Sequence, residues 1–383
     1  MGRRATIAFA VALGLQAAAQ DRGAFDFRAA WAEVVRAFHA GCEQAQVVGA
    51  SLMFVRGTEV LGFEPHGFAD RAQGRKVDRD TIYHWASITK TFTGIAAMQL
   101  RDRGRLRLDQ PVLDFVPELT AVHSAHGSVA AVQVQHLLTH SAGFRGPTWP
   151  FGGDKDWHPH EPTEWSQIVA MLPYTEIEFA PGSRWSYSNL GIVFVGRAIA
   201  KLSGDDYEVY MDKNVLRPLG MLRSYFDTTP YHLAAQRAHS YRKQGQDLLD
   251  LGPDFDTGIT VSNGGLNAPL DDMARYLAFL LGAVPADSAA GRVLARTSLE
   301  EMQKPVLPIA GKARSGLTFF VDEVGGEPIT THTGGQREFV SVFYVHHPSG
   351  TGALAAFNTG TAGPVMKQMR DLCLERLSKP LRR

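Results

Sequence analysis

Tyr83-His84-Trp85-Ala86-Ser87-Ile88-Thr89-Lys90-Thr91-Phe92-Thr93-Gly94-Ile95 is the stretch around which the chain is organised. Apolar residues recur at Ile88, Phe92 and Ile95, and spacings of four and three are the helical period. The pattern predicts a buried helix with Ser87 in its first turn. Lys90, three residues on, falls on the same face, where its amine reaches the Ser87 hydroxyl. A helix N-terminus also points free N–H groups and positive partial charge at whatever sits beside Ser87. A serine there, one turn before a lysine, can become a nucleophile without a histidine.

The chain holds a second Ser-x-x-Lys, Ser240 to Lys243, in a polar run without apolar period, which reads as surface. The weight given to Ser87 therefore rests on its company. Before it, Val47 to Arg56 and Thr58 to Ala69 read as two strands joined at Gly57, behind an amphipathic helix from Phe27 to Cys42. After it, helical periods dominate, at Val132–Leu138, Glu164–Leu172, Leu190–Leu202, Tyr207–Val215 and Leu270–Leu281. Strand character returns at Gly316–Val324, Ile329–Thr333, Glu338–His346 and Thr351–Asn358, and a last helix is expected over Pro364–Leu377. With strands at both ends and helices between, the economical fold is α+β. One antiparallel sheet is formed from both chain ends and covered by the terminal helices, with a large, mostly helical region inserted. The expected division is residues 20–80 with 305–383 for the sheet region and 81–304 for the insertion, in one catalytic unit.

The 383 residues balance 39 Lys and Arg against 39 Asp and Glu, so the net charge is zero and no nucleic-acid partner is expected. Arg3 and Arg4, the apolar run Ala5 to Leu15 and the small residues Ala17-Ala18-Ala19 read as a signal peptide over residues 1–19. The run is too short for a stable membrane span, which needs roughly 20 residues. A secreted or periplasmic protein is expected. Cys42 and Cys373 lie on the two terminal helices, and in an oxidising compartment they could pair. Neither sits among histidines at ligand spacing, so no metal and no cofactor are expected.

Three further stretches carry chemistry. In Phe179-Ala180-Pro181-Gly182-Ser183-Arg184-Trp185-Ser186-Tyr187-Ser188-Asn189-Leu190-Gly191, a Pro-Gly turn sets Tyr187 and Asn189 at a loop-to-helix junction. There the tyrosine can pass a proton, and the asparagine amide can hold Lys90 or a substrate carbonyl. Thr331-His332-Thr333-Gly334-Gly335-Gln336 ends a predicted strand with glycines, which lets a substrate lie alongside. The N–H groups of Ser87 and Gly335 would then form a two-donor oxyanion hole. His136-Leu137-Leu138-Thr139-His140-Ser141-Ala142-Gly143-Phe144 reads as a helix end and glycine turn, its two histidines lacking a third ligand. Trp149 to Gly153, with Trp157 and His158, forms an aromatic, glycine-rich loop that fits either the roof of a pocket or ordinary surface. No Gly-x-Ser-x-Gly elbow of the α/β-hydrolase kind occurs.

Ser87-Ile88-Thr89-Lys90, Tyr187-Ser188-Asn189 and His332-Thr333-Gly334, in that order, resemble the serine β-lactamase-related and penicillin-recognising hydrolases of the class C type. The resemblance runs from about Val47 to the final helix. Gly264-Gly265-Leu266 and Asp272-Met273-Ala274 look like its accessory signatures. It implies Ser87 as nucleophile, Lys90 and Tyr187 sharing the proton traffic, and Asn189, His332, Thr333, Gly334 and Gly335 as substrate contacts. The implied reaction is acyl transfer through a Ser87 acyl-enzyme on an ester, amide or D-amino-acid peptide bond, with a small-molecule or peptidoglycan-like substrate. Efficient β-lactamases of this type usually have lysine where this chain has His332, which favours a carboxypeptidase or esterase. The alternative is a non-catalytic or slowly deacylating penicillin-binding sensor or scaffold.

Overall fold

Strands from the two ends of the chain meet in one antiparallel sheet in the computed structural model, which describes residues 25–148, 162–245, 247–254 and 256–382. The expected signal segment and the aromatic loop Trp149–Gly153 with Trp157 and His158 lie outside the described residues. The sheet strands are β1 (Gly49–Arg56), β2 (Glu59–Asp70), β3 (Arg75–Lys76), β4 (Pro308–Ala310), β5 (Ala313–Ser315), β6 (Phe320–Val324), β7 (Glu327–Gln336), β8 (Phe339–His346) and β9 (Thr351–Phe357). They run in the spatial order β4-β5-β6-β7-β8-β9-β1-β2-β3. The N-terminal hairpin thus docks on the C-terminal strands, with Leu52 opposite Ala355 across β1 and β9. Gly57 makes the expected hairpin turn at φ +57°, a left-handed value that suits glycine.

Both faces of the central strands are buried, and the two-residue strand period sorts their side chains. Ala50, Leu52 and Phe54 of β1 face a cluster containing Phe38, Cys42, Val365, Met369 and Cys373. This is the layer of terminal helices α1 (Phe27–Gln44) and, at the other end of the chain, Gly363–Cys373. Met53 and Val55 point the other way, into the larger core shared with the helical region. Cys42 and Cys373 share the terminal-helix cluster as free, buried thiols, and burial pushes each up to about 12. The pairing held open from the sequence is not formed.

Helix α2 (Thr89–Asp102) carries the quoted stretch, and Thr89 through Leu100 are all buried. A helix enclosed on every side is a core helix, so its threonines need partners. The Thr91 hydroxyl accepts from Tyr276 at 2.7 Å, and Thr93 bonds the Ser262 carbonyl at 2.6 Å. Four expectations shift in detail. Ser87 lies in a separate 3₁₀ turn, Ala86–Ile88, just before α2, not in its first turn. The strand expected from Gly316 begins only at Phe320, because Thr318 takes a left-handed φ of +66°. Strand β7 runs on to Gln336, three residues past the expected Thr333. Ser240 is buried, 1 % exposed, although its polar run suggested surface. Lys243, three residues along a strand from it, is exposed, so that pair does not form a site.

Candidate active site

The turn bearing Ser87 is fixed from three directions. Trp85 N–H donates to the Leu266 carbonyl at 2.8 Å, and its indole donates to Ala268 at 2.9 Å. The Trp85 carbonyl accepts from the Ser341 hydroxyl of β8 at 3.1 Å. Ala86 takes a left-handed φ of +48°, uncommon for a residue with a side chain. This tight turn sits directly on β7 at Gly334. A Cβ there would come 2.2 Å from the Trp85 carbonyl oxygen and 2.4 Å from Ser341 Oγ. Gly334 is therefore a packing requirement beneath Ser87. Gly335 beside it has open space where a Cβ would stand.

Lys90 is completely buried, with its amine 3.1 Å from Ser87 Oγ. One N–H of that amine donates to the Asn263 carbonyl at 2.7 Å. Burial holds the lysine well below its ordinary value, since a charged ammonium would lose its hydration without gaining a carboxylate. Tyr187 hydrogen-bonds Ser87 through its hydroxyl, and burial raises its pKa so that it stays protonated. The lysine amine lies 5.0 Å from the Tyr187 ring centroid. Ser87, Lys90 and Tyr187 thus converge.

Asn189 opens α3 (Asn189–Ser203), and Ser188 is the residue that caps it, its hydroxyl accepting from Gly191 N–H at 3.0 Å. The Asn189 carboxamide oxygen is buried without a partner, and Lys90 is held by the Asn263 carbonyl instead. His332 and Thr333 lie on β7 past the point where β6 ends. The last β6–β7 pair is Phe320 with Thr331, so residues 332–336 pair only with β8. His332 is buried, stacked on Phe320 at 4.5 Å between centroids, and pushed down to about 3 by burial and by nearby Lys90.

Sequence reasoning missed four contributors. Asn263 acts through its backbone, which its side-chain type does not announce. His140, read as a helix end, packs its ring on Tyr187 at 4.5 Å. Its Nδ1 accepts from Ser188 N–H at 3.2 Å, and its φ is +56°. Phe320 and Trp185 complete an aromatic wall around Tyr187, each ring about 6.4–6.5 Å from it. The neighbouring His136 accepts from Gln133 N–H at the start of its own helix. Asp272, from the accessory signature, is structural: buried, it accepts from Arg223 N–H and the Ser224 hydroxyl, both at 2.9 Å. Elsewhere Asp70, His239 and Asp250 approach within 4.8 Å of one another. Each His239 ring nitrogen already faces a carboxylate, Asp70 at 3.5 Å and Asp250 at 3.0 Å.

A serine on a tight turn, an enclosed lysine at its hydroxyl, and a tyrosine from the helical region opposite a sheet strand define the class: proteins of the penicillin-recognising fold with an active-site serine. The profile of the Beta-lactamase family matches residues 31–376, and the chain belongs to that family. It is 32% identical over 216 residues to the esterase EstB of Burkholderia gladioli, a match covering 54% of this chain and 55% of that one. The chain thus spans about half the length of that relative. An uncharacterized protein of Mycobacterium tuberculosis is 31% identical over 312 residues, covering 73% and 74% of the two chains. A penicillin-binding protein homologue from Pyrococcus abyssi, described as octameric, superposes with a TM-score of 0.77 at 26% identity, over 91% of this chain and 78% of that one. Among the described residues no helix is long and apolar enough to cross a membrane.

Proposed function

We propose that the protein is an exported serine hydrolase that forms an acyl-enzyme at Ser87, favouring esters or D-amino-acid peptides over efficient β-lactam turnover. The observation that carries the reading is the enclosed Lys90 amine at 3.1 Å from Ser87, with an N–H tied to Asn263 and a pKa held well below the ordinary value by burial. That tie leaves the amine lone pair for the serine proton. Ser87 Oγ attacks the substrate carbonyl as its proton passes to Lys90. The N–H groups of Ser87 and Gly335 receive the oxyanion. The C–O or C–N bond then breaks, and Lys90 returns the proton to the leaving group through Tyr187, whose raised pKa keeps it a neutral O–H. Water repeats the steps in reverse and frees the acid.

The neutral His332 supports the preference, because a buried uncharged imidazole offers no fixed positive charge to a β-lactam carboxylate. The named activity of the Burkholderia esterase is in keeping with it. A peptidoglycan-like peptide is the natural substrate for the peptidase form of this reading. Export rests on Arg3, Arg4 and the apolar run Ala5–Leu15. N-terminal mass analysis of the periplasmic fraction tests it, and an uncut cytoplasmic chain would remove that part.

The decisive experiment gives the purified protein p-nitrophenyl acetate and butyrate and, separately, a chromogenic cephalosporin, with intact-mass analysis of wild type and Ser87→Ala. Ester turnover with a slow or stalled cephalosporin adduct on Ser87 is expected. Fast cephalosporin turnover would make the protein a β-lactamase, and no adduct from any probe would sink the hydrolase reading.

A further inference from the structure

Just after the short helix Val134–Leu138, His140 turns left-handed at φ +56°, and the backbone from there to Gly146 is laced to the segment that carries Tyr187. Gly182 N–H donates to the Ser141 carbonyl and Asn189 N–H to the Gly146 carbonyl, both at 2.8 Å. Between these ties, His140 meets both neighbours of Tyr187. Its carbonyl accepts from Ser186 N–H at 2.7 Å, and its Nδ1 accepts from Ser188 N–H at 3.2 Å. Its ring packs on the phenol ring itself, with 4.5 Å between centroids and 35° between planes. The imidazole is 2 % exposed, and burial holds it well below its ordinary value. A neutral imidazole has one ring proton, and since Nδ1 accepts, Nε2 carries it. That N–H is buried with no partner among the described residues, which costs stability. An apolar ring at 140 would pack on Tyr187 without that cost, but it would leave Ser188 N–H unpaired. What histidine supplies here is a ring for Tyr187 and an acceptor for Ser188 in one side chain.

Tyr187 hydrogen-bonds Ser87 and, in the reaction above, delivers a proton to the leaving group. Its hydroxyl stands at the far end of the side chain, so a small rotation of the backbone at 187 is magnified there. We infer that His140 is a positioning residue for proton delivery, clamping Tyr187 from both flanks so that its hydroxyl stays within reach of Ser87 and of the leaving group. His140 acts through Tyr187 and takes no proton itself. The inference rests on the hydrolase reading above and deepens it by naming the substrates for which the clamp matters. These are alkyl esters and amides, whose leaving groups need a proton, rather than aryl esters of acidic phenols.

The test measures kcat/KM for p-nitrophenyl butyrate and ethyl butyrate, which share an acyl group and differ in the leaving group. p-Nitrophenolate departs without a proton, whereas ethoxide needs one from Tyr187. His140→Gly keeps the left-handed backbone and its carbonyl but removes the ring and Nδ1. It should lose about 100-fold on ethyl butyrate, the scale of misplacing a reacting group by ~1 Å, and roughly tenfold or less on p-nitrophenyl butyrate. His140→Asn, whose Oδ1 stands where Nδ1 stood, keeps the acceptor and should recover part of the ethyl-ester loss. In Tyr187→Phe, already poor with ethyl butyrate, adding His140→Gly should cost no more than about twofold further. An equal loss on both esters, the same loss with and without the tyrosine hydroxyl, or no recovery in His140→Asn would overturn the inference and leave the hydrolase reading intact. So would unaltered ethyl-ester kinetics in His140→Gly, or a wild type that turns over only the aryl ester. Should His140→Gly fail to fold, His140→Asn carries the same comparison: its loss must be larger on the ethyl ester and vanish in the Tyr187→Phe background. Absence of any ester turnover and of any Ser87 adduct in wild type overturns both.

Discussion

Gly334→Ala tests whether Ser87 is positioned by backbone packing beneath it. The added Cβ would stand 2.2 Å from the Trp85 carbonyl oxygen and 2.4 Å from Ser341 Oγ, and real Cβ atoms essentially never approach closer than 3.0 Å. The turn and the strand must therefore part by about 0.8 Å or more, a small movement for a fold but a large one for a reaction. Neither wall yields easily. The Trp85 carbonyl is backbone two residues before Ser87, and the residue is tied to Leu266 and Ala268. Misplacement of reacting groups by about 1 Å costs on the order of 100-fold in rate, which is the expected loss in kcat/KM for p-nitrophenyl butyrate. Overpacking of this kind also costs roughly 1–3 kcal/mol, several degrees in Tm for a chain of this size. Adding Ser341→Ala removes the hydroxyl but leaves the carbonyl, so the double variant should not recover. Gly335→Ala, with nothing within 4 Å of its Cβ, should stay within about 0.5 kcal/mol of wild-type stability. A Gly334→Ala protein with wild-type Tm and kcat/KM within about threefold would refute the argument, since a displacement near 1 Å cannot be that mild.

Ser87→Ala should lower ester turnover by roughly 10⁴-fold or more and abolish the acyl adduct in intact-mass spectra, with far-UV CD unchanged; full turnover would mean another nucleophile. Lys90 must be uncharged to act, so kcat/KM should rise as pH rises through its depressed pKa, and Lys90→Arg, which stays charged, should lose activity across the range. The stability linkage has the same sign. Below the ordinary lysine value of 10.5 the unfolded chain binds a proton that folded Lys90 lacks, so stability grows with pH between the depressed and the ordinary value, and Lys90→Met should flatten that slope in denaturant titrations. Cys42 and Cys373 should resist a thiol reagent in the native protein and both react once it is unfolded without reductant; fewer than two reactive thiols would contradict the free, buried state. Asp272→Ala strands the Arg223 N–H and the Ser224 hydroxyl and should cost about 2–4 kcal/mol by urea unfolding, whereas a neutral result would remove its structural role.

Much of the fold was legible in local pattern. The 3.6-residue period marked helices at Phe27–Cys42 and Leu270–Leu281 close to their observed ends, and the β-branched runs marked the last three strands. The boundaries that slipped did so where backbone conformation departs from residue type, as at Thr318 with its left-handed φ and at the 3₁₀ turn around Ser87. Polar composition misled at Ser240, because a buried serine looks the same in sequence as a solvated one.

Sequence alone determined that Ser87 and Lys90 share a helical face, because three residues along a helix is a local matter of period. It also determined that Tyr187 precedes a helix. The tertiary structure decided what those residues are chemically. Lys90 is held well below its ordinary value because its amine is enclosed by segments as far away as Asn263, 173 residues on. Gly334 is a packing requirement because the Trp85 carbonyl and Ser341 converge on it from across the chain. His332 is held down to about 3 because its ring is enclosed, with Nδ1 against the Thr333 carbonyl. Periodicity acts over a few residues, whereas desolvation and close contact act only where distant segments meet, and protonation follows from those.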